Sequence, residues 1–113
     1  NKKFYIVDKI IIPQDKFPGM TEEIFKGRAN TIYNLYQNKF NIFITNCSEK
    51  LKAISADEKI SKLLNIPSNA PILKINRVGQ TYNNVTIELR TSYVHTSDID
   101  YIHSQNSTFG ESI

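Results

Sequence analysis

Four residues within VTIELRTSY, residues 85–93, have the types and spacing to act together. Thr86, Glu88, Arg90 and Ser92 alternate with Val85, Ile87, Leu89, Thr91 and Tyr93, and side chains along a strand point to opposite faces in turn. An acid, a base and two hydroxyls therefore share one face, opposite an apolar row. The apolar row should pack, and the polar face is left to meet solvent or to receive a ligand. Arg77, in the run before it, can reach Glu88 across the hairpin, and such an ion pair would explain both residues without a ligand. Asn30 and Thr31 precede a helical pattern. The N–H groups and positive dipole end of a helix start suit a phosphate or carboxylate, although the same residue types are ordinary caps. Arg28, just before them, either joins that site or is a surface side chain. With Cys47 as the single cysteine and only His95 and His103 as histidines, neither an internal disulfide nor a metal-ligand set can be assembled. No nucleophile stands beside a base and no acidic pair is evident, which argues against catalysis.

The elements that must position these residues are legible from turns and caps. Pro71 to Tyr93 reads as two strands joined at Asn83-Asn84, because asparagine tolerates the positive φ of a tight hairpin. Phe4 to Ile12 reads as a largely buried strand ending at Pro13, with Asp8 and Lys9 interrupting it at an exposed edge. Phe17-Pro18-Gly19-Met20 is a sharp turn into a short helix that starts at Thr21-Glu22-Glu23 and ends at Gly27. A second helix follows, with Ile32, Leu35 and Tyr36 as its core stripe and Tyr33 at its flank. Phe40 to Thr45 reads as a strand, with pairing continuing towards Ile54. Ser55-Ala56-Asp57-Glu58 reads as a capping box opening a helix with Ile60, Leu63 and Leu64 inside and Asn65 and Pro67 at its end. Residues 105–113 show no periodicity and read as a flexible tail. This order predicts an α+β fold, a mainly antiparallel sheet with packed helices.

At 113 residues, 40% hydrophobic and 22% charged, the chain suits one ordinary domain with its own core. It holds no apolar run long enough for a membrane span and no signal-peptide pattern, which with the single cysteine predicts a cytoplasmic setting. A net charge of +3 on scattered lysines is too weak for nucleic-acid binding by this chain alone. The first residue is Asn, so the chain reads as a segment with more protein before it.

Three motifs in order resemble the UTRA domain, the effector-binding module of HutC-subfamily GntR-type transcriptional regulators. They are Asp8-Lys9-Ile10-Ile11-Ile12-Pro13 with Phe17-Pro18-Gly19-Met20; Leu63-Leu64-Asn65-Ile66-Pro67 with Ala70 to Arg77; and Val85 to Tyr93 with Asp98 and Tyr101. The resemblance covers residues 4 to 101 and implies a chorismate-lyase-like fold, a homodimer, further strands before Phe4, and a winged helix-turn-helix that this chain lacks. It implies a small polar effector, such as a phosphorylated sugar or amino sugar, and DNA contact only through that separate domain. Neither a cofactor nor a membrane partner is implied. The ligand positions it implies fall on Lys9, where the family usually has arginine, Thr31 and Glu88; Arg28, Arg77 and Tyr93 are further ligand-binding candidates read from the residues themselves. Lysine supplies charge without the two-pronged contact of a guanidinium. Tyr93 and Tyr101 suit stacking on a sugar ring or rim packing. On this reading Glu88→Gln and Thr31→Val weaken effector binding with little change in melting temperature. The alternatives are a dimerisation module without a ligand and a chorismate-lyase-like enzyme.

Overall fold

Asparagine punctuates the chain. The computed structural model describes residues 5–102 and, as backbone, 108–111. Among these, the non-glycine residues with positive φ are all asparagines: Asn41, Asn65, Asn69, Asn83 and Asn84. The left-handed region is costly for most L side chains and mildest for asparagine, so each marks a place where an element must stop or reverse. In chain order the strands are β1 (Ile6–Ile11), β2 (Asn46–Ser55), β3 (Pro71–Thr81), β4 (Val85–Val94), β5 (Ile99–Ile102) and β6 (Thr108–Glu111). The helices are α1 (Glu22–Lys26), α2 (Ile32–Phe40) and α3 (Glu58–Leu64). Asn41 caps α2, Asn65 caps α3, and the pair Asn83-Asn84 turns β3 into β4. The four long strands form a mostly antiparallel sheet in the order β1-β4-β3-β2, and β5 pairs antiparallel with β6. The expected α+β class is what the chain adopts.

The residues group into two compact units. One draws on Lys50–Asn76, on the chain up to Lys9 and on that from Thr91; the other comprises Ile10–Glu49 and Arg77–Arg90. In the first, Ala56, Ile60, Leu64 and Ile72 form a buried cluster joined by Val7, Ile54, Ile66 and Tyr93, so α3 is held by apolar burial. A second cluster of Ile75, Val94 and Ile99 gathers Tyr5, Ile6, Leu73 and Tyr101. In the other unit Phe17, Tyr36 and Ile87 are the buried centre, surrounded by Ile12, Met20, Ile32, Tyr33, Phe40, Ile42 and Ile44. Phe17 packs its ring 4.8 Å from that of Tyr36 and 5.4 Å from that of Phe40, which explains the FPG turn: it delivers one aromatic into the base of α2.

Several local expectations are corrected. The segment expected as a strand from Phe40 to Thr45 instead finishes α2 and runs on as an irregular connection; β2 begins at Asn46. Its isoleucines serve the core rather than a ladder, and Thr45 gives its N–H to the Gln80 carbonyl at 2.8 Å. The cap of α3 is Asp57, which accepts from the Ile60 N–H at 2.8 Å, while Ser55 closes β2. Leu63 is exposed and Ser61 is buried on α3, rotating the expected stripe by part of a turn. The β1 strand is a half-buried edge, with Asp8 and Lys9 both exposed. On β4 the apolar row does not pack as one face: Ile87 is buried, but Val85 and Leu89 are exposed, and Glu88 is buried. Thr108–Glu111 pairs as a strand where a flexible tail was expected, and 105–107 with 112–113 lie outside the described residues.

A carboxylate clamped between tyrosines and an arginine

The candidate site starts from α2. Thr31 caps it, its hydroxyl accepting from the Asn34 N–H at 3.1 Å, while the Asn30 side chain accepts from the Thr31 N–H at 2.9 Å. Thr31 thus performs the ordinary capping role, and Asn30 satisfies the N–H of the cap residue itself. The N–H groups of Ile32 and Tyr33 at the helix start have no hydrogen-bond partner among the described residues, as expected where a first turn lacks intrahelical acceptors. One turn apart on α2, Tyr33 and Tyr36 direct their hydroxyls to the same group, the carboxylate of Glu88 on β4.

Glu88 has a fully buried side chain, 0% exposed. Its Oε2 accepts from the Tyr36 hydroxyl and from the Arg90 guanidinium at 3.0 Å, and its Oε1 accepts from the Tyr33 hydroxyl at 3.3 Å. A buried carboxylate is tolerated only with such compensation. Arg90 follows two residues later on the same face of β4, and its guanidinium lies 5.3 Å from the centre of the Tyr33 ring. Burial would disfavour the charge of Arg90, but its hydrogen bond and attraction to Glu88 raise its pKa overall. Burial pushes the Tyr33 phenol up, helped by the Glu88 charge; Tyr36 is pushed up by burial and by its hydrogen bond to Glu88. Both phenols therefore stay protonated donors. Gly79 on β3 lies beside this group: a Cβ there would sit 3.5 Å from the Glu88 Cβ and 3.5 Å from the Tyr33 hydroxyl.

The bond from Tyr33 is the weak side of the clamp, longer than the usual O–H···O range. The same hydroxyl lies 3.7 Å from the Sγ of exposed Cys47, so this edge of the clamp opens towards the surface. Arg77 does not pair with Glu88. Its Nε and one Nη donate at 2.9 and 2.6 Å to a single oxygen of Glu49 on β2. The expected cross-strand pair is thus replaced by two others, Arg77 with Glu49 and Arg90 with Glu88. A β4 neighbour on the buried face meets Glu88 without crossing to β3. Burial opposes the Arg77 charge too, and the Glu49 hydrogen bond restores it, leaving its pKa raised.

Of the sequence-predicted residues, Thr31, Arg28, Arg77 and Glu88 lie in this unit. Arg28 lies half-buried before α2, its guanidinium over the Phe25 ring and hydrogen-bonded to the Phe25 carbonyl at 2.7 Å. Lys9 and Tyr93 belong to the other unit, where Lys9 is exposed and Tyr93 packs against the cluster of Ala56, Ile60, Leu64 and Ile72. Sequence reasoning had Tyr36 in the core and Arg90 on the polar face but did not join them to Glu88; the i, i+3 tyrosines opposite a mid-strand acid were the available signal. Among the described residues no group of His, Cys, Asp and Glu could hold a metal ion, and no helix is long and apolar enough to cross a membrane. A carboxylate surrounded by fixed donors can bind and orient a hydroxyl or an amine; it is not arranged as an acid-base pair.

Comparison with known proteins bears on the fold and the family. The family model of the UTRA domain matches residues 1–100. The structure is similar to the ligand-binding domain assigned to a GntR-family transcriptional regulator from Bordetella bronchiseptica, with 27% identity and a TM-score of 0.86 over 94% of this chain and 68% of that one. It shares its fold with the C-terminal domain of Yurk from Bacillus subtilis, at 19% identity and a TM-score of 0.71 over 83% of this chain and 63% of that one. The same holds for a GntR-family regulator from Enterococcus faecalis, at 18% identity and 0.78 over 89% and 70%. No curated protein matches. The chain therefore spans about two thirds of these relatives, of which the Bordetella and Enterococcus proteins are a ligand-binding domain and a regulator of the GntR family. With its family match running over most of its length, this chain belongs to the UTRA domain family.

Proposed function

We propose that this chain is the effector-sensing part of a cytoplasmic, homodimeric GntR-type regulator of the HutC subfamily, acting on DNA through a separate winged helix-turn-helix domain. The observation that carries the reading is the clamp itself: a buried carboxylate held tightly by Tyr36 and Arg90 and loosely by Tyr33, beside exposed Cys47. A small hydroxylated or amino effector displaces the Tyr33 hydroxyl and takes its place on Glu88. Tyr33 also carries one of the two unpartnered N–H groups that open α2, and a phosphate or carboxylate of the same effector is received there. Thr31 fixes that helix start, and Arg77, neutralised by Glu49, borders the site rather than serving as its anion ligand. Regulation follows if the effector favours one arrangement of the dimer over another; the shift can be no larger than its difference in affinity for the two.

The test is a thermal-shift screen against phosphorylated sugars, amino sugars and small carboxylates, since a ligand specific for the folded state raises its melting temperature. One chemical class should raise it in the wild type and raise it further in Tyr33→Phe, which lacks the hydroxyl the effector must displace, while Glu88→Gln, read against its own melting temperature, should shrink the shift. The absence of any shift would instead favour a dimerisation module without a ligand, and product formation would favour an enzyme.

A further inference from the structure

α2 presents a second group of polar side chains on another face. Where Tyr33 and Tyr36 turn to Glu88, Asn34 and Asn38 turn to a groove against α1, with a volume of about 370 Å³. The connection that shapes it is short because Gly27 ends α1 where any side chain would be crowded: a Cβ would lie 2.9 Å from the Glu23 carbonyl oxygen. Buried Leu35 gives the groove an apolar floor.

Three features of its lining point to a ligand. Arg28 donates one terminal nitrogen to the Phe25 carbonyl and lays its guanidinium over the Phe25 ring, while its Nε is shut off from the groove. Its second terminal nitrogen makes no hydrogen bond among the described residues, which leaves a charged donor for an oxyanion. Lys39 forms no ion pair among the described residues, and Glu23 is likewise unpaired there, so the lining carries two cations against one carboxylate. Asn38 donates to the Asn34 side-chain oxygen at 2.9 Å, which leaves the Asn34 amide hydrogens and the Asn38 carbonyl for hydroxyl groups. The volume falls within the range of small-molecule sites. We propose that this groove binds a small hydroxylated oxyanion, with Arg28 and Lys39 on the oxyanion and Asn34, Asn38 and Glu23 on the hydroxyls. The site goes beyond the effector reading, because it uses none of Tyr33, Tyr36, Glu88 or Arg90.

The experiment is a titration of the full chain, followed by amide NMR, with gluconate, glucose 6-phosphate, inorganic phosphate and uncharged glucose. Saturable shifts of the Asn34 and Asn38 side-chain amides and of the Gly27 to Asn30 backbone are expected with an anionic probe and not with glucose. Gluconate alone assigns a carboxylate; the two phosphates assign a phosphate. Lys39→Ala, at an exposed position, should weaken that binding at least tenfold, and Arg28→Gln should abolish it. Unmoved groove amides, or unchanged binding in Lys39→Ala, would overturn the proposal. Binding that survives Lys39→Ala but is strengthened in Tyr33→Phe would place the anion at the Glu88 clamp, overturning the groove and leaving the effector reading intact.

Discussion

Replacing Glu88 by glutamine separates a buried clamp from a surface ligand contact. The sequence alone implied a change in binding with little change in stability. The structure implies otherwise, because the side chain is fully buried and accepts from Tyr33, Tyr36 and Arg90. The amide can keep much of this: its oxygen still accepts from Tyr36 and Arg90, and its NH2 can donate to the Tyr33 hydroxyl, which can reverse its role. What it cannot keep is the charge opposite Arg90, which is only 13% exposed. Removing one partner of a buried pair destabilises by about 3–5 kcal/mol, and the surviving hydrogen bonds and residual exposure place this case near the lower end, about 3 kcal/mol. For a chain of this length that lowers the melting temperature by about 12 °C. Urea unfolding followed by circular dichroism, with thermal melts, gives the number. The double variant Glu88→Gln/Arg90→Met removes the stranded charge and should recover about half of the loss, since an apolar replacement for a whole buried pair is often near neutral. A loss below about 1 kcal/mol in the single variant, or strictly additive effects in the double, would refute the clamp as described.

Three further expectations follow from the same packing. Folding raises the phenol pKa of Tyr33 and Tyr36, burial leading in both, so their stabilising contribution is complete below the unfolded value of about 10 and is lost as pH climbs towards the folded values; a phenolate absorbance titration should show these two ionising only with unfolding, and Tyr36→Phe should reduce the alkaline slope. Ile87→Ala should destabilise by about 2–5 kcal/mol, as Ile87 is 1% exposed among Phe17 and Tyr36; a change within experimental error of zero in urea unfolding would contradict that burial. At the hairpin turn Asn83 has φ 61°, so Asn83→Val should destabilise by about 1–2 kcal/mol and Asn83→Gly by much less, a difference readable in thermal melts.

The fold was legible wherever a residue type has one dominant reason to be present. Asn83-Asn84 announced the hairpin, and Gly27 and Asn65 announced helix ends. The strand expected at Phe40 to Thr45 was misplaced because isoleucines that alternate for a ladder and isoleucines that serve a core from an irregular segment look alike in sequence. Ser55 and Asp57 are both good caps, and local pattern could not show that Ser55 was needed to finish β2. At the site, strand alternation put Glu88 and Arg90 on one face but could not say that this face was covered. That knowledge is tertiary: it depends on α2 presenting Tyr33 and Tyr36 there. The pairing of Arg77 with Glu49 was invisible for the same reason, because β2 was not yet known to lie beside β3.

The most direct test of the effector reading is the behaviour of the Tyr33 ring while a compound that raises the melting temperature is titrated in. With ring-labelled tyrosine, and Tyr33 assigned by loss of its resonance in Tyr33→Phe, the Tyr33 signal should move saturably with the same midpoint as the thermal shift, while exposed Tyr82 stays still. A compound that binds while the Tyr33 resonance does not change would mean that Glu88 is not where the effector is read.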